Sequence, residues 1–282
     1  MRGRTRFWYL AFGDGRAGYL LDLIARPDAA VARLALFQRG QPPRVLRRQS
    51  AAAALEGDAR GATLMPWRLG DSSCEGELEG VSLSARLEAA GPEVPLVPRW
   101  IAAGFAGVPA LWSQPVTVIE ARAGGDVFRN LPGVRARYAI RDLARARWLL
   151  ISAHGFDGRA DVRCEIAVGR LPGRWAASGY LCTGGETIAL NQPLHNLVRF
   201  RVHADGALAG GARRFAVSYA SPRLDLHVEA SAPADLFAEL EREGSTSIYT
   251  TLFGDCRLDV KASSHESLTA TGTCLLEVKG ER

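Results

Sequence analysis

Apolar and polar residues alternate along this chain with a period of two far more often than they recur every three or four positions. Val198-Arg-Phe200-Arg-Val202-His203 is such a run, the signature of a strand with one buried face. Asp205-Gly206 supplies a turn, and Arg214-Phe215-Ala-Val217-Ser-Tyr219 resumes the alternation. Pro222 breaks it before Leu224-Asp-Leu226-His-Val228-Glu229, so the three runs predict a meander. Further strands are expected over Arg6 to Phe12, Tyr19 to Ala25, Leu34 to Gln38, Val81 to Leu87, Cys256 to Val260 and Thr273 to Val278. Helical signals are few. Pro233 to Glu243, with proline at its start and Gly244 at its end, predicts a short helix, and Asp142 to Leu149 has room for a turn or more. The fold class is therefore all-β, with short antiparallel strands and few short helices. A low-charge, proline-rich stretch from Gly91 to Pro115 interrupts the strands. The boundary between two β units is placed just after it, giving units 1–125 and 126–282.

A length of 282 residues suits two such units. With 47% hydrophobic and 23% charged residues, the chain is neither disordered, nor collagen-like, nor a polytopic membrane protein. The net charge is +5, and only two of the 35 basic residues are lysines, Lys261 and Lys279. The densest basic stretch, Arg135 to Arg147, is interrupted by Asp142 and spreads its arginines by alternation, as a solvated strand face does. No nucleic-acid partner is expected from it. The first residues imitate the basic start of a signal peptide, but the apolar run after them is short and ends in a turn, which predicts a cytoplasmic protein. Residues 100–119 carry no charge, yet Pro109 and Pro115 make a continuous membrane helix costly. They read as an apolar loop or lid beside a pocket, able to make peripheral contact with a membrane.

Candidate chemistry narrows the picture mostly by exclusion. Gly13-Asp-Gly15-Arg-Ala-Gly18 matches a dinucleotide fingerprint, but a strand pattern follows where a helix is required, so a hairpin turn is expected. The five cysteines form no CxxC pair, and buried free thiols are expected. None of the five histidines has metal-ligand spacing, so no metal and no cofactor are called for. His203 and His227 read as solvent-facing, and His154 ends an apolar strand. No GxSxG anchors a serine nucleophile. The aromatic residues Trp8, Tyr9, Trp67, Trp100, Trp112, Trp148 and Trp175 fit two readings, the lining of an apolar barrel cavity or plain core packing.

The order of landmarks resembles the tocopherol cyclase-like proteins of the lipocalin-like double-barrel superfamily, which also holds carotenoid hydratases and natural-product Diels–Alderases. An aromatic strand opens the chain, Phe7-Trp8-Tyr9-Leu10. A central family segment, Y-x-E-x-D-W-G followed by an aromatic strand ending in HF-(D/E)-G, is similar to Tyr138-Ala-Ile140-Arg141-Asp142-Leu143-Ala144 and then Trp148 to His154-Gly-Phe156-Asp157-Gly158. Closing strands like LEIEA and AGLEVVG have counterparts in Leu226 to Ala230 and Leu275 to Gly280, with Ser247 to Val260 between them. The resemblance spans nearly the whole chain and implies two lipocalin-like antiparallel β-barrel units. The departures concern chemistry. The family's glutamate falls on Ile140, its tryptophan on Leu143 and its glycine on Ala144. Arg6 and Phe7 stand where an acidic residue usually precedes the opening strand.

That resemblance implies a cyclase or isomerase that folds a hydrophobic terpenoid or polyketide-like molecule in a barrel cavity. Protonating an unactivated double bond needs a buried acid, and Ile140 removes the obvious one. Asp142, flanked by Arg141, is expected to be ionised and a poor proton donor. A pericyclic variant needs only a shaped pocket and hydrogen bonds. Tyr138, Asp142 and His154 are the expected catalytic groups. Trp8, Tyr9, Trp112, Trp148 and Trp175 are expected to bind substrate, with cation–π contacts to developing positive charge. A non-catalytic carrier of an apolar small molecule is the alternative, and a structural β protein the third reading.

Overall fold

The computed structural model describes residues 4–97, 110–140, 147–159, 161–171, 174–190, 199–205, 213–222, 224–243, 246–262 and 265–281. Two compact units emerge, 1–145 and 146–282, each built on one curled antiparallel sheet. The all-β expectation holds. In the first unit the strands are β1 (Thr5–Gly13), β2 (Ala17–Ala25), β3 (Ala29–Gln38), β4 (Arg44–Ala51), β5 (Glu56–Gly57), β6 (Ala62–Leu64), β7 (Trp67–Leu69), β8 (Ser73–Leu78), β9 (Val81–Ala89), β10 (Val94–Val97), β11 (Ala110–Ala123) and β12 (Asp126–Ile140). Their order is β4-β3-β2-β1-β12-β11-β9-β8-β7-β6-β5, with β10 added on β11. The ribbon curls until β4 approaches β8, which makes a half-barrel.

The second unit holds β13 (Trp148–Phe156), β14 (Arg163–Leu171), β15 (Arg174–Thr183), β16 (Glu186–Ala189), β17 (Arg199–Asp205), β18 (Arg213–Ala220), β19 (Leu224–Ala232), β20 (Ala238–Glu243), β21 (Thr246–Ala262) and β22 (His265–Glu281). Its order is β16-β15-β14-β13-β22-β21-β19-β18-β17, with β20 on β21. The expected meander is β17-β18-β19. The units divide after Arg145 and not at the expected 125/126 step, which falls at the turn of the β11–β12 hairpin. β12 pairs along both β11 and β1, so it stays with the first unit.

The GxGxxG segment is the tight turn between β1 and β2. Asp14 Oδ1 accepts from the amides of Arg16 and Ala17 at 2.9 Å each, and Gly15 takes a φ of +80°. The helix expected over 233–243 is not formed. Ala234–Leu236 is a single 3-10 turn, and Ala238–Glu243 is a strand on β21. The Glu and Leu content favours a helix only weakly, and the ladder to β21 overrides it. Glu239 completes that ladder by accepting from Arg242 at 2.7 and 2.9 Å and from Ser247 at 2.8 Å. The other helical expectation falls partly on residues 141–146, outside the described residues, and its end, Trp148-Leu149, opens β13.

Each curl encloses an apolar core. In the first unit Leu10, Phe12, Leu21, Leu34, Trp67 and Val118 belong to it, and in the second Ile151, Ile166, Leu181, Val228, Leu258 and Leu276. Outer strands such as β9 and β19 bury one face and expose the other. The central strands β1, β2, β3, β13 and β14 bury residues on both faces. Strands buried on both sides read as continuous apolar runs, as Tyr19 to Ala25 does. The exception within that run is Asp22. It lies opposite Arg33 on β3, both side chains are fully buried, and they pair at 2.9 Å and 2.5 Å through Arg33 Nε and Nη2.

Breaking a buried ion pair strands one charge away from water, at a cost of about 3–5 kcal/mol. Arg33→Met is therefore expected to lower unfolding free energy by about that amount in urea denaturation. The double change Asp22→Leu with Arg33→Met is expected to recover most of the loss, because no charge then remains buried.

Candidate functional site

The second buried face of each sheet, opposite its apolar core, is where the polar side chains collect. In the first unit one cross-strand row reads Arg33, Asp22, Tyr9, Ala136, Ser113, and the next reads Ile24, Phe7, Tyr138, Leu111. Register partners project to the same face. Tyr9 and Tyr138 are therefore on one face, and Phe7 stacks on Tyr138 with ring centroids 4.2 Å apart. Ile140 follows on the same face and is buried.

Trp8 points the other way. It belongs to the apolar core, donates from Nε1 to the Asp58 carbonyl at 2.8 Å, and packs so tightly on Gly57 that a Cβ there would come within 2.5 Å of its ring. Trp112 shares a register row with Trp8 through Arg137. The Arg137 guanidinium lies 4.5 Å from the Trp112 ring and is held by Glu93 at 2.8 and 2.9 Å.

In the second unit the polar face is richer. Glu165 on β14 is fully buried between Ser152 on β13 and Tyr180 on β15 in one register row. Tyr180 donates to Glu165 Oε2 at 2.8 Å. Burial, and then the neighbouring Glu165 carboxyl, push the Tyr180 phenol well above its ordinary range, so it keeps its proton. A second cluster sits on β22. Trp148 Nε1 donates to Glu277 Oε1 at 2.8 Å, and Thr250 Oγ1 donates to Glu277 Oε2 at 3.3 Å. Indole nitrogen can only donate, so Glu277 accepts. Lys279, buried on the same face, places Nζ 5.9 Å from the Trp148 ring centroid.

His154 continues the face beyond Ser152. It lies at a β-bulge where β13 slips against β22, between Ala153 and Gly155. Its Nε2 is 2.5 Å from Ser152 Oγ. Burial, reinforced by the nearby Arg163 guanidinium, lowers its pKa to about 3, so the imidazole is neutral. Beyond the bulge a groove of about 420 Å³ opens, walled by Asp157, Arg214, Glu229, Asp255, Arg257 and Thr273 among others. It is polar, and no tryptophan lines it.

Of the residues expected from sequence, Tyr9 and Tyr138 share one face in the first unit, while Trp148 and His154 share one in the second. Trp8 and Trp112 lie on the core-facing side of the first sheet. Trp175 is on β15, but its side chain lies outside the described residues, as does Asp142 entirely. Sequence reading passed over Glu165, Tyr180, Glu277 and Lys279. Their one signal was polarity at strand positions that continue a buried face. Residues 110–119 form part of β11, while 100–109 lie outside the described residues, and among the described residues no helix is long and apolar enough to cross a membrane. Among them, too, no three His, Cys, Asp or Glu side chains cluster as metal ligands would.

No family model and no curated protein matches the chain. Solved structures do match by fold. A protein from Nitrosomonas europaea assigned as AttH aligns with a TM-score of 0.61 and 14% identity, covering 99% of this chain and 93% of its own. CghA, solved with Sch210972, aligns with a TM-score of 0.59 and 12% identity, covering 99% and 89%. Kievitone hydratase from Nectria haematococca aligns with a TM-score of 0.55 and 11% identity, covering 97% and 88%. At these identities the likeness is one of fold, and it agrees with the lipocalin-like double-barrel architecture that the sequence landmarks implied.

The depressed pKa of His154 has a thermodynamic consequence. Its folded value lies below the ordinary 6.5, so between the two values the unfolded chain binds the proton and the folded chain does not. The stability tied to the neutral ring is complete above pH 6.5 and is lost as pH falls toward 3. Urea unfolding at about pH 7.5 and about pH 4.5 is expected to show a smaller loss of stability in His154→Gln than in the unaltered protein.

Proposed function

We propose that this protein is an enzyme, a cyclase or isomerase acting on a hydrophobic terpenoid or polyketide-like small molecule. The observation that carries the reading is the Glu165–Tyr180 pair, a fully buried carboxyl hydrogen-bonded to a protonated phenol. Burying such a pair costs free energy that a purely structural sheet avoids with apolar residues. A carboxyl and a phenol sharing a hydrogen bond away from water can deliver and recover a proton without exchange with solvent. Two of the fold neighbours, CghA with its bound Sch210972 and kievitone hydratase, are proteins of small-molecule chemistry, which supports the same direction.

Within this reading Glu165 and Tyr180 move the proton. Glu277 fixes the Trp148 indole by accepting its N–H. Lys279 lies against that ring, so a developing carbocation there would meet competition from the amine. Proton transfer or a pericyclic step suits the face better than a free cation does. A carrier is the second reading, and Ile140 favours it, because the resembling family's acid position is buried and aliphatic here.

The test is mass spectrometry of ligands that co-purify under native conditions, followed by incubation of the recovered compound with fresh protein. Conversion is expected, with a drop of about 10²–10⁴-fold in Glu165→Gln and a smaller one in Tyr180→Phe. Asp142→Asn tests the other candidate acid. Recovery of the compound unchanged from every protein would establish the carrier instead.

A further inference from the structure

The polar groove of the second unit, about 420 Å³, is lined by none of the residues used in the function proposed above. Its shape follows from the ladder. Ser231–Asp255 is the last register pair of β19 and β21, and beyond it β19 gives way to the 3-10 turn at Ala234–Leu236. β21 slips against β22 between Thr251 and Gly254, just before Asp255, and β13 slips between Ala153 and Gly155, just before Asp157. Bulges bend the strands that carry them, so the sheet face opens into a hollow at this end.

The charged groups of the groove fall into two sets. One set is already paired. Glu229 Oε1 lies 3.2 Å from His227 Nε2, and His227 Nδ1 lies 2.8 Å from Ser218 Oγ. Arg257 donates to Asp259 at 2.9 and 3.3 Å, and Asp259 also accepts from Thr269 at 2.7 Å. These bonds hold one flank of the groove in place. The other set is Arg214, Asp255 and Asp157, all exposed. Among the described residues, no hydrogen bond or ion pair engages their charged ends.

The second set is ordered across the groove. Arg214, Ser231, Asp255 and Thr273 stand in one register row on β18, β19, β21 and β22, so they project to one face. Neighbouring strands are about 4.8 Å apart, which puts the Cα atoms of Arg214 and Asp255 about 10 Å from one another. Asp157 comes from the far side of β22, where its amide donates to the Thr271 carbonyl at 2.9 Å. The groove thus has a guanidinium at one end, one carboxylate at its middle and another at its far end. Hydroxyls of Ser231, Thr271 and Thr273 line it between them. Because Glu229 and Arg257 are matched by their own partners, the unmatched charges form a dipole along the groove.

We propose that this groove binds a small zwitterion, with its carboxylate on Arg214 and its ammonium on Asp255 and Asp157. A guanidinium offers a carboxylate two parallel donors, and an ammonium donates only, to carboxylate and hydroxyl oxygens. A ligand with a single charge leaves half of the dipole unmet and faces a like charge at the other end. The site is separate from the buried face that carries Glu165 and Tyr180.

The probes are 4-aminobutanoate, butanoate and butylamine, which share one four-carbon chain, followed by 15N nuclear magnetic resonance of the backbone amides. 4-Aminobutanoate is expected to bind at least about tenfold more tightly than either of the others and to shift the Ser231 and Asp255 amides. The affinity is expected to fall as salt is raised, because these charges face solvent. Arg214→Gln, checked by circular dichroism to be folded, is expected to bring 4-aminobutanoate down to the affinity of butylamine. Asp255→Asn is expected to weaken it and to leave butanoate unimproved relative to it by no more than a few-fold. Butylamine binding as tightly as 4-aminobutanoate to the unaltered protein would overturn the proposal, as would a preference for 4-aminobutanoate that survives Arg214→Gln. Absence of shifts at the groove amides with every probe would overturn it too. None of these outcomes bears on the cyclase or isomerase reading, whose test uses a hydrophobic compound.

Discussion

Burial on both faces of the central strands is the constraint from which the rest follows. A strand that meets solvent on one side can place its polar residues there at no cost. β1, β2, β3, β13 and β14 have no such side over most of their length. Any polar residue on them loses its water, and it must find a partner within the protein. Asp22 finds Arg33, Glu165 finds Tyr180, and Glu277 on the neighbouring β22 finds Trp148 and Thr250. These pairs are the price of polarity inside a sheet, and they sit on the face that the apolar core does not use.

The two units answer this constraint differently. In the first, the polar face carries an ion pair in which two Arg33 nitrogens donate to Asp22 Oδ2, and a stacked Phe7–Tyr138 couple. In the second unit the groups are titratable and graded. Tyr180 is held protonated, and His154, near the Arg163 guanidinium, is held neutral. A bulge in β13 turns the ladder at His154, next to the groove that meets solvent.

Much of the fold was legible in the residues. The meander over 198–229, the hairpin at Gly13-Asp-Gly15 and the closing strands all announced themselves by alternation and turn chemistry. The segment 233–243 did not, because its composition suits a helix and only its ladder with β21 makes it a strand. The aromatic residues were legible as a group but not by role. Trp8 and Tyr9 are neighbours in sequence and face opposite sides of one sheet, so one fills a core and the other looks onto the polar face. Alternation does not single out Glu165 or Glu277, since a polar residue on a buried second face gives the same pattern as one that meets solvent.

The sequence by itself determined the period of two, and with it the strands, most of their turns and the all-β class. These are properties of nearest neighbours along the chain, where sterics and alternation act directly. Which faces are buried, and which polar groups meet across them, was decided only by the tertiary structure. Ser152, Glu165 and Tyr180 come from three strands, and Trp148 and Glu277 are 129 residues apart. Their partnership depends on strand order and register, and local pattern carries no record of either.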